Sequence, residues 1–236
     1  MNRSLKNVKT LIGLFFTVSF VLFGYFGKNE MMNETDSRNA TMVSDTQKEV
    51  MSTKKIAITF DDGPHPVYTP MLLDGLKERG IHATFFLLGE SAQNYPDLVK
   101  RIQEEGHLIG NHTFHHTDLK NADTVLLHQE VVKTNEVIEK ITGQTPQYIR
   151  PPFGSHKDSL EEQTGMLVVL WNIDPLDWCS EDAAGIVRQI EKNAKDNGII
   201  LMHDSYKTSV MAALTAIDDL QKEGYEFVTV DEILFE

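Results

Sequence analysis

Residues 55–64 read KIAITFDDGP, an apolar run that ends in two adjacent carboxylates and a turn. The apolar part, residues 55–60, is typical of a buried β-strand, and Gly63-Pro64 is typical of a turn. Adjacent carboxylates repel each other, so the presence of Asp61 and Asp62 side by side at the end of one strand requires an explanation. Turn formation is one reason, because Asp, Gly and Pro all favour turns. The alternative is a site in which the two acids act together.

From residue 54 onward, short apolar runs alternate with helical patterns. We predict strands at 55–60, 83–88, 108–110, 148–149, 167–172, 199–202 and 227–230. Apolar positions at helical spacing predict a helix around 127–141 and another over 209–222, which Gly224 would end. Seven strands alternating with helices imply an α/β fold with a parallel sheet, either open or closed into a barrel. We find no internal boundary, so residues 54–236 are predicted to form one domain.

The first residues are typical of a targeting segment. Residues 1–9 are basic, and residues 11–27 form an uncharged apolar run near the lower length limit for crossing a membrane. The basic flank predicts an amino terminus inside the cell and export of the rest. Segment 1–27 would be a membrane anchor, or a signal peptide if it is cleaved, with a buried core helix as the alternative. Residues 28–53 are polar and lack periodicity, which predicts a flexible linker. The expected location is the cell membrane, with 54–236 outside.

The composition excludes several classes of protein. The formal net charge is -13, and residues 1–28 contain no acid, so the rest of the chain is more acidic than the whole. Binding to nucleic acid requires a basic surface, so no nucleic-acid partner is expected. Cys179 is the single cysteine, which excludes an internal disulfide and a cysteine-rich zinc site. Nothing in the sequence indicates a protein partner.

Polar side chains follow five of the predicted strands. They are Asp61-Asp62, the histidines of His112-Thr113-Phe114-His115-His116, Arg150, Asp174 with Asp177-Trp178, and His203. In parallel α/β folds the carboxyl ends of the strands share one face, and that face holds the active site. Each cluster could also be purely structural, with Arg150 as a surface charge or Trp178 as a core residue. Because every cluster would have to be structural at once, we interpret the five clusters as one site.

The set of side chains indicates metal-assisted chemistry. Two imidazoles and one carboxylate make a three-ligand site with an open position, which is typical of catalytic zinc. His112 and His116 are four residues apart and would share one face of a helical turn, with His115 as the competing ligand. A metal ion activates water, and a second carboxylate beside the metal ligand can accept the proton of that water. Adjacent Asp61 and Asp62 can supply the ligand and the base.

These residues resemble the polysaccharide deacetylase family (the NodB-homology domain, carbohydrate esterase family 4). Its five motifs appear in order as TFDDGP at 59–64, HTFHH at 112–116, RPPFG at 150–154, DPLDW at 174–178 and LMH at 201–203. The similarity covers 54–236 and extends to bacterial peptidoglycan N-acetylglucosamine deacetylases. It implies a distorted (β/α) barrel of about seven parallel strands and metal-dependent removal of acetyl groups, usually with zinc and sometimes with cobalt. The expected substrate is the N-acetylglucosamine of cell-wall peptidoglycan, with chitin oligomers, an exopolysaccharide and N-acetylmuramic acid as alternatives.

The resemblance also implies chemical roles for individual positions. The residues that match the metal ligands are Asp62, His112 and His116, which leaves His115 outside the site. Asp61 resembles the general base, and His203 resembles the general acid. Asp177 resembles the carboxylate that orients His203, and Arg150 resembles the residue that stabilises the charge of Asp61.

A second group of positions would contact the sugar. The residues in this group are Pro152, Phe153, Asp174 and Trp178. Phe153 and Trp178 would form the walls of a shallow groove, and the backbone N–H of Phe153 resembles an oxyanion donor. Asp174 has an alternative role, in which it braces Arg150.

Two alternatives from other functional classes stay open. One is a non-catalytic glycan-binding module on the same fold, which would be expected to lack a metal ligand or the base. The other is an iron oxygenase with two histidines and one carboxylate, which would depend on iron and oxygen.

Overall fold

The computed structural model describes residues 54–235, which all belong to one compact unit. The predicted anchor (1–27) and linker (28–53) lie outside the described residues. Within 54–235, no helix is long and apolar enough to cross a membrane.

Within the described residues, seven strands alternate with nine α-helices. The strands are β1 (Lys54–Asp61), β2 (Thr84–Leu87), β3 (Leu108–Asn111), β4 (Tyr148–Ile149), β5 (Leu167–Val168), β6 (Gly198–His203) and β7 (Tyr225–Phe227). The helices are α1 (Tyr68–Arg79), α2 (Gly89–Asn94), α3 (Pro96–Glu104), α4 (Thr124–Leu127), α5 (Lys133–Thr142), α6 (Leu160–Thr164), α7 (Ala183–Asn193), α8 (Lys207–Lys222) and α9 (Val230–Leu234). A π-helical turn, His128–Val132, joins α4 to α5, and 3₁₀ turns lie at Pro152–Gly154 and Asp177–Cys179.

The strands form one parallel sheet in the order β5-β4-β3-β2-β1-β6, and β7 pairs with the beginning of β1. β1 pairs with β6 from Ile56–Gly198 to Asp61–His203 and with β2 near its carboxyl end. The last six residues of β1 are buried. A parallel strand that is covered on both faces reads as a continuous apolar run, which accounts for the sequence of residues 56–60. The predicted parallel α/β fold is confirmed.

Regular strand pairing stops between the outer strands β5 and β6. The chain after β5 reaches β6 through a single bridge, Ile173 with Ile200. The strand predicted at 167–172 is therefore too long. Its later carbonyls, those of Val169 and Leu170, accept hydrogen bonds from the side chain of Arg150 instead of from a neighbouring strand (3.0 and 3.4 Å). The sheet is thus bridged at this place and is not closed by regular pairing.

Both helices predicted from periodicity are present. The first is the continuous segment of α4, the π-helical turn and α5, and the second is α8. The strand predicted at 227–230 is wrong in its second half, because α9 begins at Val230. Thr229 and Glu232 form a capping box, in which each side chain accepts a hydrogen bond from the other residue's backbone N–H. This Thr-x-x-Glu pattern favours a helix start over a continued strand.

The main apolar cluster packs β1, β2 and β6 against α1, α3, α7 and α8. Each fully buried aliphatic side chain of this kind contributes about 1.5–3 kcal/mol to the free energy of unfolding. The packing fixes the direction of the strands, so their carboxyl ends meet at one edge of the sheet.

Candidate active site

The predicted site residues come together at the carboxyl edge of the sheet. Asp61 is the last residue of β1 and His203 the last of β6, while His112 and Arg150 directly follow β3 and β4. A cavity of about 390 Å³ lies among these ends. It is lined by Asp61, Asp62, His112, His116, Phe153, Trp171, Asp174, Trp178, Leu201 and His203. The five polar clusters therefore contribute to one place, as their positions after parallel strands predict.

Asp62, His112 and His116 form a group that could hold a metal ion. One ligating atom from each lies within 4.8 Å of the other two. The Nε2 atoms of both histidines are 3.5 Å from Oδ1 of Asp62. Within residues 54–235, it is the one group of three or more histidine, cysteine, aspartate or glutamate side chains whose ligating atoms lie this close together.

The hydrogen bonding around this group fits a divalent cation. Oδ1 of Asp62 is buried without a hydrogen-bond partner, which is costly for a carboxylate unless a cation neutralises it. Nδ1 of His112 lies 2.6 Å from the carbonyl oxygen of Arg150, so Nδ1 carries the proton and Nε2 offers a lone pair. Burial lowers the pKa of His112 despite the opposing effect of Asp61 and Asp62. A neutral imidazole is the form that binds metals, and this ligand set suits zinc.

His112 and His116 do not lie on one helical turn. The two residues do come together, but the prediction that helical spacing brings them together is wrong. The residues after β3 form a loop in which Thr113 (φ 66) and His116 (φ 61) adopt left-handed backbone conformations. This loop brings the two imidazole rings to 5.1 Å between centroids. His115 is half exposed, and its Nδ1 lies 2.9 Å from Oε1 of Glu130. The structure therefore places His115 outside the metal-ligand group.

Asp61 is held by a fully buried arginine. The Nη1 atom of Arg150 donates to Oδ1 of Asp61 at 2.8 Å and to the hydroxyl of Thr59 at 2.6 Å. Oδ2 of Asp61 lies on the side of His112, 3.7 Å from its Nε2 atom. Thr59 was missed by the sequence reasoning, although alternation along a strand places Thr59 and Asp61 on the same face of β1.

His203 is oriented by Asp177. Oδ1 of Asp177 lies 2.9 Å from Nδ1 of His203, and Oδ2 accepts the backbone N–H of His203 at 2.8 Å. Burial alone would lower the pKa of His203, but the hydrogen bond and charge of Asp177, with the charges of Asp61 and Asp62, raise it to about 9. The ring thus carries a proton on Nδ1 and presents Nε2 to the cavity.

The rim of the cavity is aromatic. Phe153 is 70% exposed and Trp178 is 55% exposed, so both aromatic faces are accessible from the cavity. The Phe153 ring lies edge-on to the His116 ring at 4.8 Å. Trp171 and Leu201 also line the cavity and were missed. Trp171 lies in the predicted strand 167–172, but β5 ends at Val168. The alternation of a strand therefore does not determine where its side chain points.

Of the predicted substrate contacts, Pro152 does not line the cavity, whereas Asp174 does. Pro152 is buried and is not among the residues that line the cavity. Asp174 lines the cavity, and its Oδ1 accepts the backbone N–H of Leu176 at 2.9 Å. The Arg150 guanidinium bonds to Thr59, Asp61 and two main-chain carbonyls, so the alternative role of Asp174 as a brace for Arg150 is wrong.

The chain is similar to known deacetylases in sequence. The family model for polysaccharide deacetylase matches residues 48–169. The peptidoglycan-N-acetylglucosamine deacetylase PgdA of Listeria monocytogenes is 39% identical over 180 residues, which are 76% of this chain and 39% of PgdA. The peptidoglycan-N-acetylmuramic acid deacetylase PdaC of Bacillus subtilis is 35% identical over 247 aligned residues, which cover 94% of this chain and 53% of PdaC. The chain thus spans about half or less of the length of these relatives.

Solved structures show the same similarity. The structure of PdaC from Bacillus subtilis matches with a TM-score of 0.74 and 42% identity, over 77% of this chain and 90% of that chain. A family 4 acetyl xylan esterase from Clostridium thermocellum, solved in complex with a cobalt ion, matches with a TM-score of 0.72 and 31% identity, over 77% of this chain and 90% of that chain. The family model covers more than half of the sequence, and the motifs meet in one cavity. The chain therefore belongs to the polysaccharide deacetylase family.

Proposed function

We propose that this chain is a hydrolase that removes N-acetyl groups from the N-acetylglucosamine of peptidoglycan and releases acetate. The observation that carries the proposal is the convergence of a metal-ligand group, a buried carboxylate and an oriented imidazole on one cavity. PgdA and PdaC, whose names describe peptidoglycan deacetylases, support this class of substrate. Phe153 and Trp178 would contact the faces of the sugar rings.

The residues that would hold the metal are Asp62, His112 and His116. Zn²⁺ suits one carboxylate and two imidazoles, and Co²⁺ is the expected substitute, in keeping with the cobalt complex of the acetyl xylan esterase. A divalent ion held there would supply Lewis-acid activation of a water molecule and of the amide carbonyl.

Asp61 would be the general base. Its Oδ1 is occupied by Arg150, so the proton of the attacking water would go to Oδ2. The fixed guanidinium prevents the carboxylate from turning away, because a buried cation without its partner would be strongly destabilising. The backbone N–H of Phe153 would donate a hydrogen bond to the oxygen that becomes negative as the water adds, an interaction worth about 3 kcal/mol of the barrier.

His203 would be the general acid. As the carbon–nitrogen bond breaks, Nε2 would give its proton to the leaving nitrogen, so that the products are acetate and a free amine. Asp177 holds the other ring nitrogen and stabilises the charged imidazolium that must exist before this step.

Acetate release tests the proposal directly. The purified chain, loaded with Zn²⁺, is incubated with peptidoglycan and, separately, with chitin oligomers, and Asp61→Asn serves as the control. Release from peptidoglycan that is absent in the control is the expected result. Release only from chitin oligomers would change the substrate and keep the mechanism. Binding of glycan without acetate release from either substrate would favour a non-catalytic binding module.

The pH dependence of kcat should report the pair of His203 and Asp177. A general acid must be protonated, so activity is present below the pKa of His203 and is lost as the pH rises through it. In Asp177→Asn the charge-assisted hydrogen bond is lost and burial lowers the pKa. Such a bond is worth about 1.5–3 kcal/mol, or about one to two pKa units. The basic limb of kcat should move to lower pH by that amount. An unchanged basic limb would contradict the assignment of His203.

The same proposal includes a location. The basic residues 1–9 and the apolar residues 11–27 would anchor the chain in the cell membrane with the catalytic domain outside, where the cell wall is. Protease added to intact cells should then degrade the catalytic domain, and complete protection would refute the topology.

A further inference from the structure

The backbone between His112 and His116 is bound by a single carboxylate from another element. Oε2 of Glu130 accepts the backbone N–H groups of Phe114 at 3.0 Å and of His115 at 2.9 Å. Both amides belong to the loop that carries the two histidines of the metal-ligand group. Glu130 itself lies outside that group. The loop is therefore bound by a residue that comes later in the chain and is not one of the possible metal ligands.

Glu130 is placed for this contact by an irregular helix. It is the third residue of the π-helical turn His128–Val132, which interrupts the segment from α4 to α5. Glu130 is 4% exposed, and a buried carboxylate is tolerated only when it is paired or hydrogen-bonded. π-Helical turns of this length frequently occur at functional sites. The other carboxylate oxygen of Glu130, Oε1, lies 2.9 Å from Nδ1 of His115.

The same π-helical turn also holds the beginning of the loop. The side-chain amide of Asn111, the residue before His112, donates to the carbonyl oxygen of Val131 at 2.9 Å. The side-chain oxygen of Asn111 accepts the backbone N–H of Thr113 at 2.7 Å. Two consecutive residues of the turn, Glu130 and Val131, thus bind the loop at two places.

The loop needs such support because its backbone is unfavourable without it. Thr113 and His116 both have positive φ angles, and threonine is β-branched, so this conformation is rare for it. Residues in sparsely populated backbone regions persist where the surrounding structure holds them. The direction in which His112 and His116 point is set by this backbone.

We propose that Glu130 is a positioning residue for the metal ligands His112 and His116, and that it acts through the backbone amides of Phe114 and His115. The inference rests on the proposed function, since it assumes that these histidines bind a divalent ion. The length of the side chain, called its reach below, is decisive, because the carboxylate must extend far enough from the π-helical turn to contact both amides. The contact between Glu130 and the His115 side chain is secondary.

Two conservative variants separate reach from charge without opening a large cavity. Glu130→Gln keeps the length of the side chain, and its amide oxygen can accept both backbone N–H groups, but the charge is lost. Glu130→Asp keeps the charge and withdraws the carboxylate by one methylene. Glu136→Asp is the matched control, because Glu136 is an exposed glutamate of α5.

The readout is metal binding, measured by competition with a chromophoric chelator for Zn²⁺ and by the visible absorption spectrum of the Co²⁺-loaded protein. Removal of the outer contacts of a metal site typically costs about 10–100-fold in affinity. We expect Glu130→Asp to bind Zn²⁺ about 10–100-fold more weakly, with a changed Co²⁺ spectrum. Glu130→Gln should stay within about 3-fold of the wild type and keep its spectrum, as should Glu136→Asp.

Several results would overturn the inference. If Glu130→Asp loses thermal stability but keeps the affinity for Zn²⁺ and the Co²⁺ spectrum, Glu130 supports the fold and does not position the ligands. If Glu130→Asp binds Zn²⁺ like the wild type and Glu130→Gln binds it more weakly, charge matters and reach does not. If the wild-type chain itself binds neither ion, the proposed function fails, and the inference fails with it. If metal binds normally in the wild type but no acetate is released, only the proposed function is lost.

Discussion

Replacing Asp61 with asparagine should lower kcat by as much as about 10⁴-fold and leave the zinc content of the protein unchanged. Asparagine has the shape of aspartate, and its side-chain oxygen can still accept the hydrogen bond from Arg150. An amide cannot take a proton from water at neutral pH, so the base is removed while the neighbouring ligands stay in place. The result would separate the roles of the two adjacent carboxylates.

The measurement has two parts, acetate release under saturating substrate and metal analysis of the same protein sample. Asp97→Asn is a suitable control, because Asp97 is an exposed aspartate in the first turn of α3. Zinc content that falls together with activity in Asp61→Asn would show that Asp61 is itself a ligand. The division of labour between Asp61 and Asp62 would then be wrong.

Replacing His116 with alanine should weaken metal binding strongly, whereas replacing His115 with alanine should not. Structural zinc sites bind with about 10–16 kcal/mol, shared among four ligands, so the loss of one imidazole from a three-ligand site corresponds to about 10²–10³-fold or more in affinity. In His115→Ala the lost interaction is the half-exposed pair with Glu130, and pairs of this kind contribute about 0–1 kcal/mol to stability. The two replaced histidines are adjacent in the sequence, yet the expected effects on metal binding differ strongly.

Zinc titration of the two variants, beside the wild type, measures the difference. His115→Ala serves as the control for His116→Ala, since each removes one imidazole from the same loop. Loss of zinc in His115→Ala with retention in His116→Ala would reverse the ligand assignment. It would also contradict the loop conformation, because His115 would have to leave Glu130 and turn to Asp62.

The sequence predicts the site better than the details of the fold. Parallel strands bring every carboxyl end to one edge, so the clusters after β1, β3, β4 and β6 could be placed together without coordinates. The predicted helices were correct, because an apolar stripe with a 3.6-residue period is typical of an amphipathic helix and does not suit a strand. The loop between His112 and His116 could not be derived, since two left-handed residues and a buried glutamate from the following π-helical turn hold it.

Two strand predictions failed for physical reasons that apolar patterns do not contain. Residues 169–172 are apolar enough for a strand, yet the carbonyl oxygens of Val169 and Leu170 accept hydrogen bonds from an arginine side chain. Residues 227, 228 and 230 are also apolar, but Thr229 between them caps the start of a helix. In both cases a polar side chain competes for the backbone groups that a strand would use.

The buried guanidinium of Arg150 joins two requirements that enzymes usually keep apart. On one side it holds the carboxylate proposed as the base, and on the other it satisfies the carbonyls that lack a strand partner where β5 gives way to β6. It also lies over the ring of Phe86, 4.2 Å from the centroid, inside the sheet. Activity and stability are commonly in conflict at catalytic residues, so that neutralising such a residue makes a protein more robust. Here the same side chain would serve both, so a variant that removes the charge of Arg150 is expected to lose stability as well as activity.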